Sequence, residues 1–543
     1  MSSPPSPISI SNESIRLAIK NIATFGDTDV FPYPLEKLWF YDELDIVSGI
    51  LTKFRDKGIN LFNEFPVFST TELYNTGYAG HRPATQIDPL WNALFLSAVI
   101  EIAPLIEQKR LSSNQVFSYR FQPSFDTGKL FADTGWADFQ KTSLMLASKY
   151  GYVASVDISD FYQRVYHHRL ENVLRTDCSC NGTIVKFIDR FLSSINSEKS
   201  FGLPVGGPAS RILAEALLIR TDRLLFTSGI PFIRFVDDYY LFGNSENELR
   251  ASILKLNKLL LDNEGLSLNR NKTKLLSSKE HLEQSAFSTV DRNESPQEKN
   301  RRSFLSLRLR YDPYSDTADD DYEAIHKSIE DHDVLAIFEN EIRKSRIDRF
   351  SATQSINAVK FMNPQDQSAM ISAIALNLDT LSEVFPTVAN TFRKVSQDIS
   401  QDAKTVFYEK VRDMVAKRSP LIAASGTFAY AIRILADDPC PDADIALASV
   451  FFNYDEATPI LQRDVLFSMT RRKSTFWLSN LRNKMSSVSN PWVRRAMFAA
   501  SYELRDEGEH WRKAEKGRLE EHDKLLLDWL GKKHNGNNWE LPI

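Results

Sequence analysis

Two adjacent aspartates, Asp237 and Asp238, interrupt the apolar and aromatic run IPFIRFVDDYYLFGN at residues 230–244. Neighbouring carboxylates repel each other, and burying either one without compensation is unfavourable. A divalent cation removes that penalty, since Mg²⁺ prefers carboxylate oxygens and keeps positions open for phosphate and water. Two such ions, about 3.5–4 Å apart, can stabilise the attacking and leaving oxygens of a phosphoryl displacement. The pair therefore indicates phosphoryl-transfer chemistry if a further carboxylate joins it.

Asp157 is the natural source of that further carboxylate. It ends the β-like run YVASVD and opens the segment DISDFY, well before Asp237 in the chain. A neighbouring strand would bring it beside the pair. These residues alone leave an alternative open, an exposed acidic dipeptide in a loop that needs no metal.

Short β-like runs alternate with amphipathic helices between residues 115 and 290. YVASVD predicts a strand, and RILAEALLIRTDRLL predicts a helix with Pro208 just ahead of it. PFIRFVDDYYLFG predicts two short strands with the aspartate pair at their connecting tip, and a second helix follows at ELRASILKLNKLLLDN. This order predicts an α+β domain with helices on one face of an antiparallel sheet.

The chain divides by composition into three parts. Residues 1–20 are predicted to be a disordered N-terminal tail, and residues 21–315 contain the α+β pattern. An acidic, turn-prone stretch at 312–324 predicts a linker. Beyond it, residues 316–543 are predicted to be an all-α domain of stacked, HEAT-like helical pairs, without a strict repeat period.

Composition narrows the class of protein. Three cysteines among 543 residues cannot form a disulfide framework, and a net charge of −5 argues against a basic nucleic-acid coat protein. We find no apolar run of the roughly 18 residues that a membrane span needs, and no signal peptide. We therefore expect a cytoplasmic protein without a membrane partner.

Four segments follow one another in a fixed order: DISDFY (157–162), GLPVGGPASR (202–211), FVDD (235–238) and GLSLNRNKT (265–273). The series resembles the palm motifs of reverse transcriptases. FVDD stands where that family usually has Tyr-x-Asp-Asp, and GLPVGGPASR stands where it usually has a Leu-Pro-Gln-Gly segment. Each segment alone is a weak indication, but the ordered set is specific.

The resemblance narrows to the abortive-infection (Abi) reverse transcriptases of bacterial phage defence. The string DISDFYQRVYHHRL, the pair Ser210-Arg211 followed by Glu215, and LNRNKTKLL look like that group. The implied fold is a reverse-transcriptase-like palm and fingers followed by an all-α helical-repeat domain. The implied activity is DNA synthesis without a template, primed on a protein hydroxyl.

By the same resemblance, Asp157, Asp237 and Asp238 are the catalytic carboxylates and the ligands of a two-ion Mg²⁺ site, which Mn²⁺ can also fill. Lys272 matches a lysine that protonates or shields the departing pyrophosphate. The alternative for Lys272 is a surface lysine on a basic loop.

The resemblance also implies a nucleotide-binding surface. Tyr162 matches an aromatic residue that blocks a ribose 2′-OH and so favours dNTPs, with a core aromatic as the alternative. Arg120 lies where fingers residues clamp the triphosphate, and a guanidinium suits phosphate oxygens. The predicted nucleotide-binding residues are Arg120, Ile158, Tyr162, Gly206, Gly207 and Lys272.

Three hypotheses about function follow. The first is an untemplated, protein-primed DNA polymerase of bacterial antiphage defence, favoured because Val205 replaces the glutamine of templated enzymes. The second is a conventional RNA-templated reverse transcriptase, and the third is a non-enzymatic scaffold with a degenerate palm. The expected partners are dNTPs, a single-stranded DNA product attached to the protein, and further copies of the chain in a homo-oligomer. The sequence does not identify the priming hydroxyl, and we expect Tyr33 and Tyr41 to be core residues.

Overall fold

The computed structural model describes residues 6–28, 30–75, 80–133, 135–197, 199–286, 296–305, 307, 309, 318–453, 458–482, 490–536 and 541. The chain forms two compact units. The first comprises Met1–Thr70 and Thr85–Val290, and the second comprises Thr71–Ala84 and Asp291–Ile543.

The first unit combines α-helices with a small sheet. Its α-helices are α1 (Asn12–Phe25), α2 (Glu36–Asp42), α3 (Leu44–Asp56), α4 (Leu61–Glu64), α5 (Pro89–Lys109), α6 (Gly135–Ala147), α7 (Phe161–Arg164), α8 (His167–Asn172), α9 (Gly182–Ile195), α10 (Pro208–Thr227), α11 (Glu246–Glu264) and α12 (Ser278–Ala286). The strands of the chain are β1 (Ser69–Asn75), β2 (His81–Ile87), β3 (Tyr152–Asp157), β4 (Phe232–Phe235), β5 (Asp238–Gly243) and β6 (Lys274–Ser277).

An antiparallel sheet with the strand order β4-β5-β3-β6 forms the centre of the first unit. The predicted hairpin is present, with β4 and β5 on either side of the turn at Val236 and Asp237. The strand β3 lies between β5 and β6, so that a segment distant in sequence pairs directly with the hairpin.

Helices pack against both faces of this sheet. Val153 and Phe242 point to one face and form a buried cluster with Phe139 of α6. On the other face, the hydroxyl of Tyr239 donates a hydrogen bond to Asp222 of α10, at 2.9 Å. The prediction of helices on one face is therefore wrong. The physical reason is that β3 and β5 carry apolar residues at consecutive positions, so both faces are apolar.

The N-terminal segment is a packed helix from residue 12 onward. The side chain of Ser11 accepts a hydrogen bond from the Ser14 amide and caps α1. Ile15 and Ile19 are fully buried, and the Ser14 hydroxyl donates to Glu101 of α5 at 2.7 Å. The prediction of a disordered tail is wrong for residues 12–20, because a cap and an apolar stripe tie them to the core. Residues 1–5 of that predicted tail lie outside the described residues.

The helix α5 corrects the prediction about long apolar runs. It is 21 residues long and contains an 18-residue apolar window with a mean hydropathy of 1.6. By length and composition, such a helix could cross a membrane. However, 83% of that apolar window is buried inside the protein. Packing against α1 and α10 accounts for its composition, because a helix that is apolar all round belongs in a core.

Within its described residues, the second unit is helical apart from residues 71–75 of β1 and 81–84 of β2. Its α-helices are α13 (Pro296–Leu305), α14 (Ala318–Glu330), α15 (Val334–Ile342), α16 (Arg349–Ala358), α17 (Pro364–Leu376), α18 (Phe385–Val395), α19 (Gln401–Ala416), α20 (Ser425–Leu435), α21 (Asp442–Asn453), α22 (Pro459–Arg471), α23 (Thr475–Arg482), α24 (Pro491–Ala500), α25 (Arg505–Lys516) and α26 (Glu521–Asn535). Alternate helices contact each other in this part of the chain: α18 contacts α20, α20 contacts α22, α22 contacts α24, and α24 contacts α26. HEAT-like repeats stay a prediction.

The boundary between the units differs from the predicted one at residue 315. The second unit begins at Asp291, and it also takes in Thr71–Ala84. The amide of Asn75 donates to the Leu421 carbonyl at 2.8 Å, which ties this hairpin to the helical unit. Within the predicted linker, residues 312–317 lie outside the described residues, and the rest belongs to α14. Local composition did not reveal either feature, because both depend on contacts with distant segments.

We expect Ile15→Ala to lower the free energy of unfolding by about 2 to 5 kcal/mol, since it removes a fully buried side chain and leaves a cavity. Urea denaturation followed by circular dichroism measures this change. Arg16→Ala is the matched control, because the side chain of Arg16 is half exposed and should cost less than about 1 kcal/mol. Equal effects of the two substitutions would show that α1 does not contribute to the core.

Candidate active site

The turn between β4 and β5 has an unusual backbone conformation. Val236 has a φ of +56°, in the left-handed region that β-branched residues rarely adopt. Its N–H donates to the hydroxyl of Ser118 at 2.9 Å, and its carbonyl accepts from the Arg234 guanidinium at 2.7 Å. Both sides of the strained residue are therefore held by hydrogen bonds to side chains.

The sheet brings Asp157 to this turn. The Ile158 amide donates to the Asp237 carbonyl at 3.1 Å, and Asp157 is the direct partner of Asp238 across β3 and β5. Residues 157 and 238 thus form the non-hydrogen-bonded pair, in which the side chains lie on the same face and approach closely. The three acidic residues that the sequence singled out meet at one end of the sheet.

This proximity has an electrostatic cost. Burial, followed by the negative charges of Asp237 and Asp157, raises the pKa of Asp238 to about 7, and Lys272 partly opposes this rise. Asp157 is itself 7% exposed. When no metal is bound, the cluster would therefore hold a proton near neutral pH that an ordinary aspartate has lost.

Lys272 belongs to the same cluster. Its ammonium lies 3.1 Å from Oδ1 of Asp157. The Asn269 amide donates to the Asp157 carbonyl at 2.7 Å, and the Ser159 amide donates to the Ser267 carbonyl at 2.9 Å, so the segment that carries Lys272 is fixed against the end of β3. The Lys272 side chain is half exposed, so its charge faces both the carboxylate and solvent.

The chemistry of the donor set fits Mg²⁺ or Mn²⁺. Asp157, Asp237 and Asp238 supply the hard oxygen ligands that these ions prefer. Across the described parts of the chain, no three His, Cys, Asp or Glu side chains converge as a preformed metal cage. Mg²⁺ is commonly held by one or two carboxylates together with waters and substrate phosphates, so an open carboxylate cluster suits it better than a closed cage would.

Tyr162 is within electrostatic reach of Asp237 and of two residues, Tyr119 and Arg211, to which the sequence analysis gave no role. Burial, then the nearby Tyr119 and Glu215, raise the pKa of the Tyr162 phenol well above its usual value, and Arg211 opposes them. The Arg211 guanidinium lies over the Tyr119 ring, 5.1 Å from its centroid. Arg211 belongs to the GLPVGGPASR segment, so the sequence motif could have indicated that it lies in the site. Tyr119 belongs to none of the four motifs, so no sequence pattern indicated its place there.

Arg120 and Ile158 have different surroundings from those predicted. The Arg120 guanidinium pairs with Glu107 at 2.8 Å and donates to the Leu111 carbonyl at 2.9 Å. Burial and the nearby Arg110 lower its pKa. The Ile158 side chain is buried, and its amide is already bonded to Asp237. Triphosphate binding by either residue stays a prediction, and for the Ile158 amide it requires the bond to Asp237 to be released.

Gly206 and Gly207, the two glycines predicted to bind the nucleotide, differ in backbone conformation. Gly206 has a φ of +104°, which only glycine adopts readily. Gly207 has an extended backbone at the N-cap of α10, and a Cβ there would make only an ordinary contact with Asp27 at 3.5 Å. The backbone conformation therefore requires glycine at position 206 alone. Close approach of a nucleotide to both stays a prediction.

Tyr33 and Tyr41 are not core residues. Their exposed fractions are 44% and 70%. The expectation is wrong for Tyr41 because, among the aromatic residues of α2, only Trp39 and Phe40 are buried, whereas Tyr33 lies in the segment before α2 and is also exposed. Both hydroxyl-bearing rings therefore face solvent at least in part.

We expect the metal-free protein to lose stability relative to Asp238→Asn as pH rises from about 4 to about 7. Between these values the unfolded chain has released the Asp238 proton, whereas the folded protein still holds it, because its pKa is raised to about 7. The difference reaches at most about 4 kcal/mol above pH 7. Urea denaturation in EDTA between pH 4 and 8 measures it. Asp45→Asn, at an exposed position, is the control, and a pH-independent difference for Asp238→Asn would contradict the expectation.

Comparison with solved structures finds telomerases at low similarity. The apo telomerase of Candida tropicalis is 10% identical with a TM-score of 0.31, over 76% of this chain and 73% of that one. The Candida albicans telomerase with a TWJ fragment of telomeric RNA is 10% identical with a TM-score of 0.30, over 72% and 70%. TM-scores this low do not establish a common fold.

Comparison by sequence is more specific. No curated protein matches the chain. Residues 105–309 match the family model described as "Reverse transcriptase (RNA-dependent DNA polymerase)". This range contains β3, the hairpin of β4 and β5, and every predicted catalytic residue. The chain therefore carries a reverse transcriptase domain at residues 105–309.

Proposed function

We propose that this protein is a Mg²⁺-dependent DNA polymerase that adds dNTPs without a template to a protein hydroxyl, in bacterial defence against phages by abortive infection. The meeting of Asp157 with Asp237 and Asp238 at one end of the sheet carries the catalytic part of the proposal. The reverse transcriptase domain supports nucleotidyl transfer as the reaction class.

The carboxylates have a defined task in this proposal. Asp157, Asp237 and Asp238 would hold the metal, which supplies positive charge to the phosphoryl group when it is bound. Tyr162 lies within electrostatic reach of Asp237, where its ring would exclude a ribose 2′-OH. Lys272, 3.1 Å from Asp157, would direct its ammonium to the departing pyrophosphate once a metal neutralises that carboxylate.

Independence of a template is supported by position 205. Val205 is partly exposed beside Gly206, where templated members of the family usually carry a glutamine. A valine side chain has no hydrogen-bonding group, so it cannot take over the polar contacts of that glutamine. The defence role and protein priming follow the Abi resemblance of the sequence motifs.

A conventional RNA-templated reverse transcriptase is the second candidate. The description of the matching family model, an RNA-dependent DNA polymerase, favours it. The two candidates differ in one measurable property, which is the need for an added template.

We expect purified protein incubated with labelled dNTPs and Mg²⁺, without template or primer, to become labelled itself. The label should stay with the protein on a denaturing gel, and Asp237→Ala should reduce it by at least about 100-fold because a metal ligand is lost. Peptide mapping of the labelled protein then locates the priming hydroxyl.

Asp262→Ala, on the same unit but outside the cluster, is the control and should retain labelling. Incorporation that appears only when an RNA template is added would replace the proposal with the second candidate. No incorporation of any nucleotide, with no Mg²⁺-dependent shift in melting temperature, would favour the scaffold hypothesis.

We expect Tyr162→Val to reduce the preference for dNTPs over rNTPs by at least about tenfold, since a smaller side chain leaves room for the 2′-OH. The measurement is the ratio of kcat/KM for dGTP and GTP. Tyr166→Val is the matched control, because Tyr166 is close in sequence but 47% exposed. An unchanged ratio would identify Tyr162 as a core aromatic residue.

A further inference from the structure

Arg234 is a fully buried cation directly behind the turn between β4 and β5 that carries Val236 and Asp237. Its guanidinium donates to Asp222 at 2.7 Å and to Glu215 at 2.9 Å, both on α10. Nη1 of the same guanidinium donates a further hydrogen bond to the Val236 carbonyl at 2.7 Å. One rigid, planar side chain therefore connects the strained turn to two carboxylates of a helix.

Glu215 is the centre of this network. Besides Arg234, it accepts hydrogen bonds from the Arg110 guanidinium at 2.7 Å and from the Ser118 hydroxyl at 2.5 Å. The Ser118 hydroxyl in turn accepts from the Val236 amide at 2.9 Å. Glu215 follows the Ser210-Arg211 pair in the sequence motif, and the proposed catalytic steps give it no role.

The network closes a ring around Val236. From the Val236 amide it runs through Ser118 and Glu215 to Arg234, and then back to the Val236 carbonyl. The φ of +56° at Val236 is unfavourable for a β-branched residue, and such conformations persist only where the surroundings over-determine them. The ring supplies that constraint immediately before Asp237.

The same network joins three parts of the proposed site. Glu215 and Asp222 lie on α10, which begins directly after Gly206 and Gly207. Ser118 precedes Tyr119, which also has a left-handed backbone, with a φ of +45°. The segment with Tyr119, the helix after the glycines and the aspartate turn therefore share one buried set of ion pairs.

We propose that Arg234, Glu215 and Ser118 are positioning residues for nucleotidyl transfer, which fix the Val236 peptide so that Asp237 and Asp238 present their carboxylates to the metal. None of the three is assigned a contact with the substrate. The inference rests on the proposed function for its kinetic consequence, whereas its structural consequence is measurable without catalysis.

The charge balance of the cluster supports a positioning role over a catalytic one. Burial alone would lower the pKa of Arg234, but Asp222 and Glu215 reverse this and raise it well above its usual value. Burial would raise the pKa of Glu215, but Arg110 and Arg234 lower it. Both groups thus keep their charges and neither is available to transfer a proton at neutral pH.

Two conservative substitutions test the inference, Ser118→Ala and Arg234→Lys. Ser118→Ala removes the acceptor of the Val236 amide. Arg234→Lys keeps a cation for Asp222 or Glu215 but lacks the fork that also reaches Val236. We expect kcat to fall by about 10- to 100-fold, because a displacement of about 1 Å in a catalytic group has effects of this size. The Mg²⁺ concentration for half-maximal rate should rise, and KM for dNTPs should change little.

Matched controls separate positioning from general stability. Ser97→Ala removes a fully buried hydroxyl of α5 that donates to the Ala93 carbonyl, and Arg463→Lys alters a buried ion pair of the second unit. These variants should keep the wild-type Mg²⁺ dependence. Activities are compared per folded protein, as measured by circular dichroism.

Two further measurements decide the inference even if the wild type makes no DNA. Hydrogen exchange should accelerate in peptides covering residues 235–238 of both test variants, but not in α22 of the second unit. The affinity for Mn²⁺, measured by electron paramagnetic resonance, should fall in the test variants and not in the controls. An inactive wild type would refute the proposed function alone. Wild-type exchange and Mn²⁺ affinity in both test variants would overturn the positioning role, as would kinetic losses without a changed Mg²⁺ dependence.

Discussion

Repulsion among three carboxylates is the constraint around which the first unit is organised. Asp157 and Asp238 are direct neighbours across two strands, and Asp237 adjoins them in the turn. The raised pKa of Asp238, about 7, expresses that repulsion together with burial. A sheet that only had to be stable would not place these residues in register. The arrangement becomes favourable when a cation or a proton is shared among them.

Successive residues of the hairpin point to opposite faces of the sheet. The acidic cluster, with its excess negative charge, therefore lies on one face, and a charge-balanced ion cluster lies on the other. Phe235 and Asp238 are cross-strand partners on one face, and Arg234 and Tyr239 are partners on the other. Behind the sheet, two buried cations, Arg234 and Arg110, meet two carboxylates, Glu215 and Asp222, so that the charges balance in a dry interior. On the opposite face, Asp157 and Asp238 lie side by side at the end of the sheet, with Asp237 next to them in the turn. The sheet thus keeps a balanced ion cluster and the unbalanced acidic cluster on opposite faces, a single residue apart along the hairpin.

The sequence predicted those features that depend on local pattern and ordered motifs. The strand before Asp157, the hairpin around Asp237 and the long helix after Pro208 are all present. Features set by long-range contacts were not predictable. The pairing of Arg120 with Glu107 depends on how α5 packs, and the hairpin of β1 and β2 joins the second unit through contacts across hundreds of residues. Coverage of both sheet faces was missed because the order of strands and helices along the chain does not show on which face each helix packs.

The Lys272–Asp157 pair partly offsets the repulsion within the acidic cluster. The ammonium offsets one negative charge at 3.1 Å, and it opposes the rise in the Asp238 pKa. Because the lysine is half exposed, such a pair contributes only about 0–1 kcal/mol, so it holds the carboxylate weakly. A buried arginine at this position would hold Asp157 too firmly, as Arg234 holds Asp222. A half-exposed lysine therefore leaves Asp157 freer to change its partner than a buried arginine would.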